Sequence, residues 1–505
     1  MNDILRSISV VAAVFTLLAG AACVTESSND GGNRSTPPAN TDAASAPPTA
    51  PEPAPPTPDA ALNTQAVTLA VIDAFFAQEG FAEDLKSKLR LTDDQVNSLR
   101  SIARRETSKL RESDNDDQYA GNTRAAREDA LEKSKAIIGE EKSRELVAFV
   151  NERWNGNAAA STSGGASPSG TSPSAVPRDS GAIAAGVPKD NRVVVNTPAF
   201  RMDLFEDGKL IKSYKIGIGY PEFPLPTGQR KAETIIFNPT WTPPDEAWVE
   251  SPGSKVKVGE KIEAGDKLNP LGPIKIPIGL PSLIHGGKAP AKLGGFASHG
   301  CVGLTTPQIN DFVRRLAQLS GTPLSDEQIS EFEKNKKDTK TVKLSKPVPV
   351  ELRYETITVE DGKLHIYRDV YDRGTNTQEN LARVLQSYGV TMDQLNDSER
   401  AEVTSALNQM ARDARGQPTT DASDAKKLDN ANSSAPSTKS KKSGPRKEES
   451  KNSSPSGKVT RSISGSKEMI VQISALAGKG YPAPVELDGG SAPKSAAPRS
   501  ARRRK

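Results

Sequence analysis

Two residue types that often carry protein chemistry are nearly missing from this chain of 505 residues, which has 2 cysteines and 3 histidines. Two cysteines exclude the dense disulfide framework of small secreted scaffolds. So few histidines, with no clustering of histidine and acidic residues, make a metal site unexpected. Any chemistry that needs a thiol or an imidazole must therefore come from a handful of positions.

Apolar side chains are also scarce: hydrophobic residues make up 35% of the chain and aromatic residues 5%, beside 39 glycines and 38 prolines. Segments of such composition cannot bury enough apolar surface to offset the entropy lost on ordering. We expect a multidomain chain with a modest catalytic core, a small helical module and long disordered connectors. A formal net charge of +4 is too small at this length to indicate nucleic-acid binding.

The N-terminus is typical of an exported protein. Residues 1–22 contain a short apolar run followed by small residues, which predicts a signal peptide rather than a membrane span. The segment 18–23 resembles a lipoprotein box, which makes Cys23 the expected lipidated residue and anchor; ordinary cleavage near Ala21 is the alternative. Residues 23–63, rich in proline, alanine and serine, predict a tether. Either route places the protein in the cell envelope or periplasm.

Helical periodicity begins after the tether. Within residues 64–154, Thr92 and Gln95 have the spacing of a capping box, and further helices are expected at 123–139 and 140–154. The pattern predicts a small bundle or an extended hairpin, with a packed spacer or docking module as its simplest role. Residues 155–188, again rich in Ala, Ser, Gly, Thr and Pro, predict a second linker.

One stretch, residues 284–304, holds two of the histidines and one of the cysteines. With Cys23 lipidated or removed, Cys301 has no intramolecular disulfide partner, so it is a candidate reactive thiol. Thiolate is the reactive form of cysteine, and an imidazole can accept its proton. Glycines in the stretch allow backbone N–H groups, here those of Gly300 and Cys301, to point at a developing oxyanion.

The motif Ser298-His299-Gly300-Cys301, with His285-Gly286 before it, resembles the signature of the L,D-transpeptidase catalytic domain (the YkuD family). Similarity extends over about residues 192–373. It implies a mainly-β, sandwich-like domain, which we place at 189–375, with Cys301 as nucleophile and no cofactor. It also implies that His285 is the base that keeps the thiol ionised, oriented by a backbone carbonyl near Gly286.

Two further residues of the motif have supporting roles. Ser298 is expected to support the turn or contact substrate. If the segment is extended, His299 shares a face with Cys301 and could tune the thiol or shape the pocket.

The resemblance implies a substrate as well. Members of the family attack an L-centred to D-residue bond in a peptidoglycan stem peptide and pass the acyl group to an amine. This chain departs from the family at Gly303, usually Arg or Asn, and at Gly287, usually Thr or Ser. The departures leave open an L,D-carboxypeptidase, which hydrolyses the same bond. A non-catalytic peptidoglycan-binding scaffold is the alternative from another class.

The local patterns around the motif predict specific elements. Residues 206–209 predict a hairpin turn, and Thr306 with Pro307 predicts a helix start. Residues 325–340 predict a charged helical insertion, and residues 341–371 predict strands that complete the catalytic domain.

The C-terminal region predicts a helical pair at 376–413. Residues 379–395 resemble part of a LysM glycan-binding module, but the sequence offers no flanking strands, which favours a plain helical pair. Residues 414–505 predict a basic disordered tail with a short apolar island at 469–476. Such a tail could touch anionic envelope polymers, or be solvated and without function.

Overall fold

The computed structural model describes residues 67–110, 123–154, 186–250, 254–279, 281–419 and 460–487. The predicted signal peptide at 1–22, the lipidation site Cys23, the tether at 23–63 and nearly all of the second linker lie outside the described residues. Within the described ranges, no helix combines the length and apolarity that crossing a bilayer requires.

The described residues of the N-terminal module, 67–110 and 123–154, form five helices: α1 (Leu69–Phe76), α2 (Phe81–Lys88), α3 (Asp93–Thr107), α4 (Thr123–Ile138) and α5 (Glu140–Trp154). The predicted capping box at the start of α3 is confirmed, since Thr92 and Gln95 each bond to the other's backbone. The helices share one core, in which Phe75, Phe81 and Leu146 are fully buried. The helical module is therefore a packed unit in its own right.

A mainly-β domain follows, as predicted. Its ten strands form one hydrogen-bonded sheet in the order β3-β2-β1-β10-β5-β6-β7-β9-β4-β8. These strands are β1 (Arg192–Asn196), β2 (Arg201–Glu206), β3 (Lys209–Lys215), β4 (Gly217–Gly219), β5 (Gly228–Phe237), β6 (Ile274–Pro277), β7 (Leu283–His285), β8 (Gly295–Ser298), β9 (Val302–Gly303) and β10 (Lys340–Arg353).

Local sequence explains where the turns and helices of the domain lie. The β2–β3 hairpin turns at Asp207 and Gly208, both with positive φ, which is the tight turn predicted. Helix α6 (Thr306–Leu319) packs its apolar face into the core through Phe312 and Leu316. Its N-cap is Thr305 rather than Thr306, because the Thr305 hydroxyl accepts the Gln308 N–H. The charged insertion contains helix α7 (Asp326–Lys334).

Strands after residue 354 do not complete the catalytic sheet, contrary to prediction. β11 (Ile357–Glu360), β12 (Lys363–Tyr367) and β13 (Glu468–Gln472) form a separate three-stranded sheet. Helices α8 (Gln378–Ser387) and α9 (Asp397–Met410) share a second core with it, which includes Leu364, Leu385 and Val471. A boundary at residue 375 therefore cuts through a C-terminal module.

The same module corrects two other expectations. Strands β12 and β13 pair in antiparallel register and lie before and after the two helices, so flanking strands that were not predicted from the sequence are present. Residues 460–487 belong to folded structure rather than to an unstructured tail. The sequence did not predict β13, because β13 pairs with a strand about a hundred residues earlier and short strands gain their stability from non-local partners.

Candidate active site

Two adjacent parallel strands position the predicted catalytic pair. β7 pairs with β9 so that Ile284 lies opposite Val302 and His285 opposite Gly303. His285 is the last residue of β7, and Cys301 immediately precedes the first residue of β9, two residues before the partner of His285. Paired strands lie only about 4.8 Å apart, so this register brings the two groups into one site.

The turn before Cys301 is held by a reciprocal pair of hydrogen bonds. The Ser298 hydroxyl donates to the Cys301 carbonyl at 2.6 Å and accepts the Cys301 N–H at 3.0 Å. Gly300 has a φ of +94°, a conformation that costs glycine little, and its carbonyl accepts from the Ser282 hydroxyl at 2.9 Å. Ser298 therefore supports the turn, one of the two roles considered for it.

The same contact changes the oxyanion assignment. Because the Cys301 N–H is already donated to Ser298, it does not point freely at a substrate carbonyl in this structure. Of the two N–H groups expected to act together, that of Gly300 is the remaining candidate donor.

His285 is buried and held by backbone carbonyls. Its Nδ1 lies 2.9 Å from the Gly286 carbonyl oxygen, the contact that the family resemblance implied. Burial lowers the pKa of His285 to about 3; the charge of Lys288 acts in the same direction, and the carbonyls of Gly286 and Leu271 oppose it. A lowered pKa favours the neutral imidazole, which is the form that can accept a proton.

Cys301 is half-buried, and burial raises the pKa of its thiol above the ordinary value. A hydrogen bond from the Leu283 backbone and the charge of Lys288 lower that pKa, whereas Glu246 raises it. Desolvation disfavours both charged forms, so burial favours a neutral thiol and a neutral imidazole. That His285 keeps Cys301 ionised stays a prediction, and burial of the pair acts against it.

Lys288 is a site residue that the sequence reasoning missed. Its Nζ donates to the Ala297 carbonyl at 2.8 Å, and its stem crosses Gly303, where an added Cβ would lie 2.7 Å from the Lys288 Cγ. The family usually has Arg or Asn at the position of Gly303. Here the side chain of Lys288, which follows β7, occupies the space that such a side chain would need. This one cation acts electrostatically on both Cys301 and His285.

The other departure, Gly287, has a backbone reason. Its φ is +80°, and an added Cβ would lie 2.8 Å from the Gly272 Cα. A side chain at this position would be strained and would also collide with backbone.

The extended segment on which a shared face for His299 and Cys301 was conditional is not present, because the chain bends at His299 and Gly300. Its ring lies among aromatic side chains: it stacks on Trp248 with centroids 4.2 Å apart, and Phe223 and Tyr220 meet it edge-on at 4.6 and 5.3 Å. His299 therefore helps to build an aromatic wall beside the Cys301 turn.

An acidic residue faces this site, although none was evident from sequence. The Glu246 carboxylate accepts from the Trp248 Nε1 at 2.7 Å, and burial raises the pKa of Glu246 to about 7. No nearby motif marks Glu246, which reaches the site through a loop some 55 residues before Cys301.

Comparison with protein families is decisive for the domain. Residues 190–348 match the family described as the L,D-transpeptidase catalytic domain, YkuD. This segment is YkuD-like. No curated protein among those compared matches the chain.

Solved L,D-transpeptidases are similar to the same third of the chain. The catalytic domain from Enterococcus faecium is 17% identical over 33% of this chain and 99% of its own, with a TM-score of 0.21. The Mycobacterium smegmatis enzyme is 13% identical over 32% of this chain and 58% of its own (TM-score 0.20). Mycobacterium tuberculosis L,D-transpeptidase 3, with a faropenem-derived adduct, is 15% identical over 32% and 60% (TM-score 0.19). The chain spans less than two thirds of both mycobacterial proteins.

Proposed function

We propose that the protein is an exported, cysteine-dependent L,D-transpeptidase that acts on peptidoglycan stem peptides. The observation that carries the proposal is that His285 ends strand β7 and Cys301 immediately precedes the paired strand β9, within a YkuD-like domain. Attachment to a membrane through lipidated Cys23 and contact of the basic tail with anionic envelope polymers belong to the same proposal.

The first half-reaction forms an acyl-enzyme. The Cys301 thiol attacks the amide carbonyl of the stem while its proton passes to neutral His285, so that charge develops only during attack. The oxyanion is met by the Gly300 N–H. The carbon–nitrogen bond then breaks, His285 returns the proton to the departing D-residue amine, and a thioester remains on Sγ.

The second half-reaction decides between transfer and hydrolysis. An acceptor amine attacks the thioester, loses a proton to His285 and forms a new amide, while the sulfur leaves and regains its proton. If water attacks instead, the product is a free acid and the enzyme is an L,D-carboxypeptidase. We favour transfer because the Trp248–His299 aromatic wall and the half-buried thiol leave little open solvent at Sγ.

The proposal is tested on the full-length protein and its Cys301→Ala variant. Mass spectrometry after incubation with a tetrapeptide stem or a carbapenem should show a covalent adduct on the wild type and none on the variant. Equal labelling of both would reject Cys301 as nucleophile. Adding an acceptor amine should give a crosslinked product, and free acid alone would favour the carboxypeptidase.

The scaffold alternative makes a different prediction. A non-catalytic peptidoglycan-binding protein would be pulled down by sacculi equally well as wild type and as Cys301→Ala, with no turnover by either.

A further inference from the structure

The segment 245–250, which we call the strap, lies between β5 and β6 and carries Trp248 against the active-site turn. Trp248 and His299 are stacked with ring centroids 4.2 Å apart and planes within 7°. His299 in turn is separated from Cys301 only by Gly300. The position of the strap therefore sets the aromatic wall beside the thiol.

The helical module holds both ends of the strap through one side chain. Arg104 of α3 forms ion pairs with Asp245 at 2.7 Å and Glu250 at 2.9 Å. One guanidinium offers donors in several fixed directions, so it can join two carboxylates that lie far apart along a loop. Both pairs lie at the surface, since the Arg104 side chain is 33% exposed, Asp245 63% and Glu250 54%.

The middle of the strap is held by a buried carboxylate. Asp73 of α1, only 2% exposed, accepts the backbone N–H of Ala247 at 2.9 Å, one residue before Trp248. A buried carboxyl needs a hydrogen-bond partner to offset its desolvation. Burial has the largest effect on the Asp73 pKa and raises it; the hydrogen bond from the Ala247 N–H is the largest effect that lowers it. The contact fixes backbone next to Trp248, so it bears directly on where the indole lies.

We propose that Arg104 and Asp73 are positioning residues for the active site: the helical module fixes the strap and thereby holds Trp248 against His299. This rests on the proposed function, because positioning has meaning only for a site that binds an acyl donor. It gives residues 67–154 a role that neither the spacer reading nor the family resemblance includes, and it involves no residue that touches the reacting atoms.

Loss of the contacts that hold the strap should slow acylation by a large acyl donor more than it slows alkylation of the Cys301 sulfur. A stem peptide or carbapenem must pack against the aromatic wall, whereas iodoacetamide needs only access to Sγ. Arg104→Ala should therefore lower the second-order rate of acylation about tenfold, in line with losing two charge-assisted contacts. Its alkylation by iodoacetamide should stay within about twofold of wild type or rise.

The matched control is the neighbouring arginine. Arg105 is 65% exposed and pairs with Glu106 in its own helix, so Arg105→Ala removes an equal charge without touching the strap. Asp73→Asn keeps a carbonyl oxygen for the Ala247 N–H and should acylate nearly as wild type, whereas Asp73→Ala should not. Hydrogen exchange should rise in residues 245–250 for Arg104→Ala and Asp73→Ala only.

Exchanging the charges of Arg104 and Asp245 is the most direct test of the ion pair. Arg104→Glu should be worse than Arg104→Ala, and Asp245→Arg added to it should recover part of the lost acylation rate. If Arg104→Ala is acylated at the wild-type rate and residues 245–250 exchange hydrogen as in the wild type, the proposal is overturned while the proposed function stays intact. If wild type itself is never acylated, the proposed function fails, and exchange in the strap alone decides whether the module holds it.

Discussion

At the scale of single residues, the chemistry of Cys301 follows from what surrounds its sulfur. Burial raises the thiol pKa and lowers that of His285, so the neutral pair is favoured at rest. Alkylation of Cys301 by iodoacetamide should therefore keep rising with pH beyond neutrality, because the thiolate fraction grows up to a raised pKa. Peptide mass spectrometry over a pH series measures it. A rate already at its plateau at pH 6 would indicate a preformed ion pair instead.

Lys288 should be the main cation that eases ionisation of this thiol. Replacing it by Gln removes a positive charge that lowers the Cys301 pKa, so the alkylation profile should move to higher pH. Lys288→Arg should keep the wild-type profile. Lys292→Gln, an exposed lysine on the following turn, is the matched control. Equal profiles for all variants would remove Lys288 from the electrostatics of the site.

The lysine stem also explains why a side chain is missing at Gly303. Gly303→Asn should reduce acylation, because its Cβ would lie 2.7 Å from the Lys288 Cγ. In a Lys288→Ala background the same asparagine should be tolerated, with a smaller loss than in the wild type. Thermal unfolding and acylation rates of the four combinations give the coupling. Additive losses would show that the two positions do not compete for space.

At the residue scale, scarcity singles out candidate residues in the sequence, whereas contacts between residues far apart in the chain leave no local pattern. Cys301 and His285 could be located because so few thiols and imidazoles exist in the chain. Lys288 and Glu246 could not, since lysine and glutamate are common and only folding brings these two to the thiol. The effect of desolvation on the ionisation of the pair could not be predicted either, because it is a property of the packed site.

At the scale of elements, helices were predictable and the last strand was not. Thr92 and Gln95 mark the start of α3 within four residues of sequence, and helix α5 was located correctly at residues 140–154. β13 is five residues long and is stabilised by pairing with β12, so its own sequence signals little. The predicted catalytic domain therefore extended too far, to residue 375, and the predicted tail, residues 414–505, included β13.

Truncation tests the place of β13. A chain ending at residue 459 loses the burial of Val471, Ile473 and Leu476, each fully buried apolar side chain being worth about 1.5–3 kcal/mol. The C-terminal module should then become sensitive to protease and lose its thermal transition. A chain ending at residue 487 removes only residues 488–505, which lie outside the described structure, and should unfold as wild type does. Identical protease patterns for both truncations would argue against the three-stranded sheet.

At the scale of the whole molecule, three distant parts of the chain meet at the loop that carries Phe223. The Thr68 hydroxyl of the helical module donates to the Glu222 carbonyl at 2.8 Å, and the buried Glu222 carboxylate accepts from the Thr460 N–H and hydroxyl. The Thr460 hydroxyl contact is 2.7 Å long. Phe223 packs edge-on against His299, so this junction adjoins the aromatic wall of the active site. No local pattern predicts it, because its partners are 154 and 238 residues away.

The junction should make folding depend on pH. Burial, the largest effect, raises the pKa of Glu222 from 4.5 to about 7, so the native state holds a proton that the unfolded chain releases near pH 4.5. The stability that this carboxyl contributes is therefore complete below pH 4.5 and declines as pH rises through 7, by about 3 kcal/mol in total. Glu222→Gln keeps an oxygen for both Thr460 donors and cannot ionise, so its urea midpoint should fall less between pH 5 and pH 8. Parallel curves for the two proteins would mean that Glu222 stays ionised in the native state, with its charge balanced by groups around the junction.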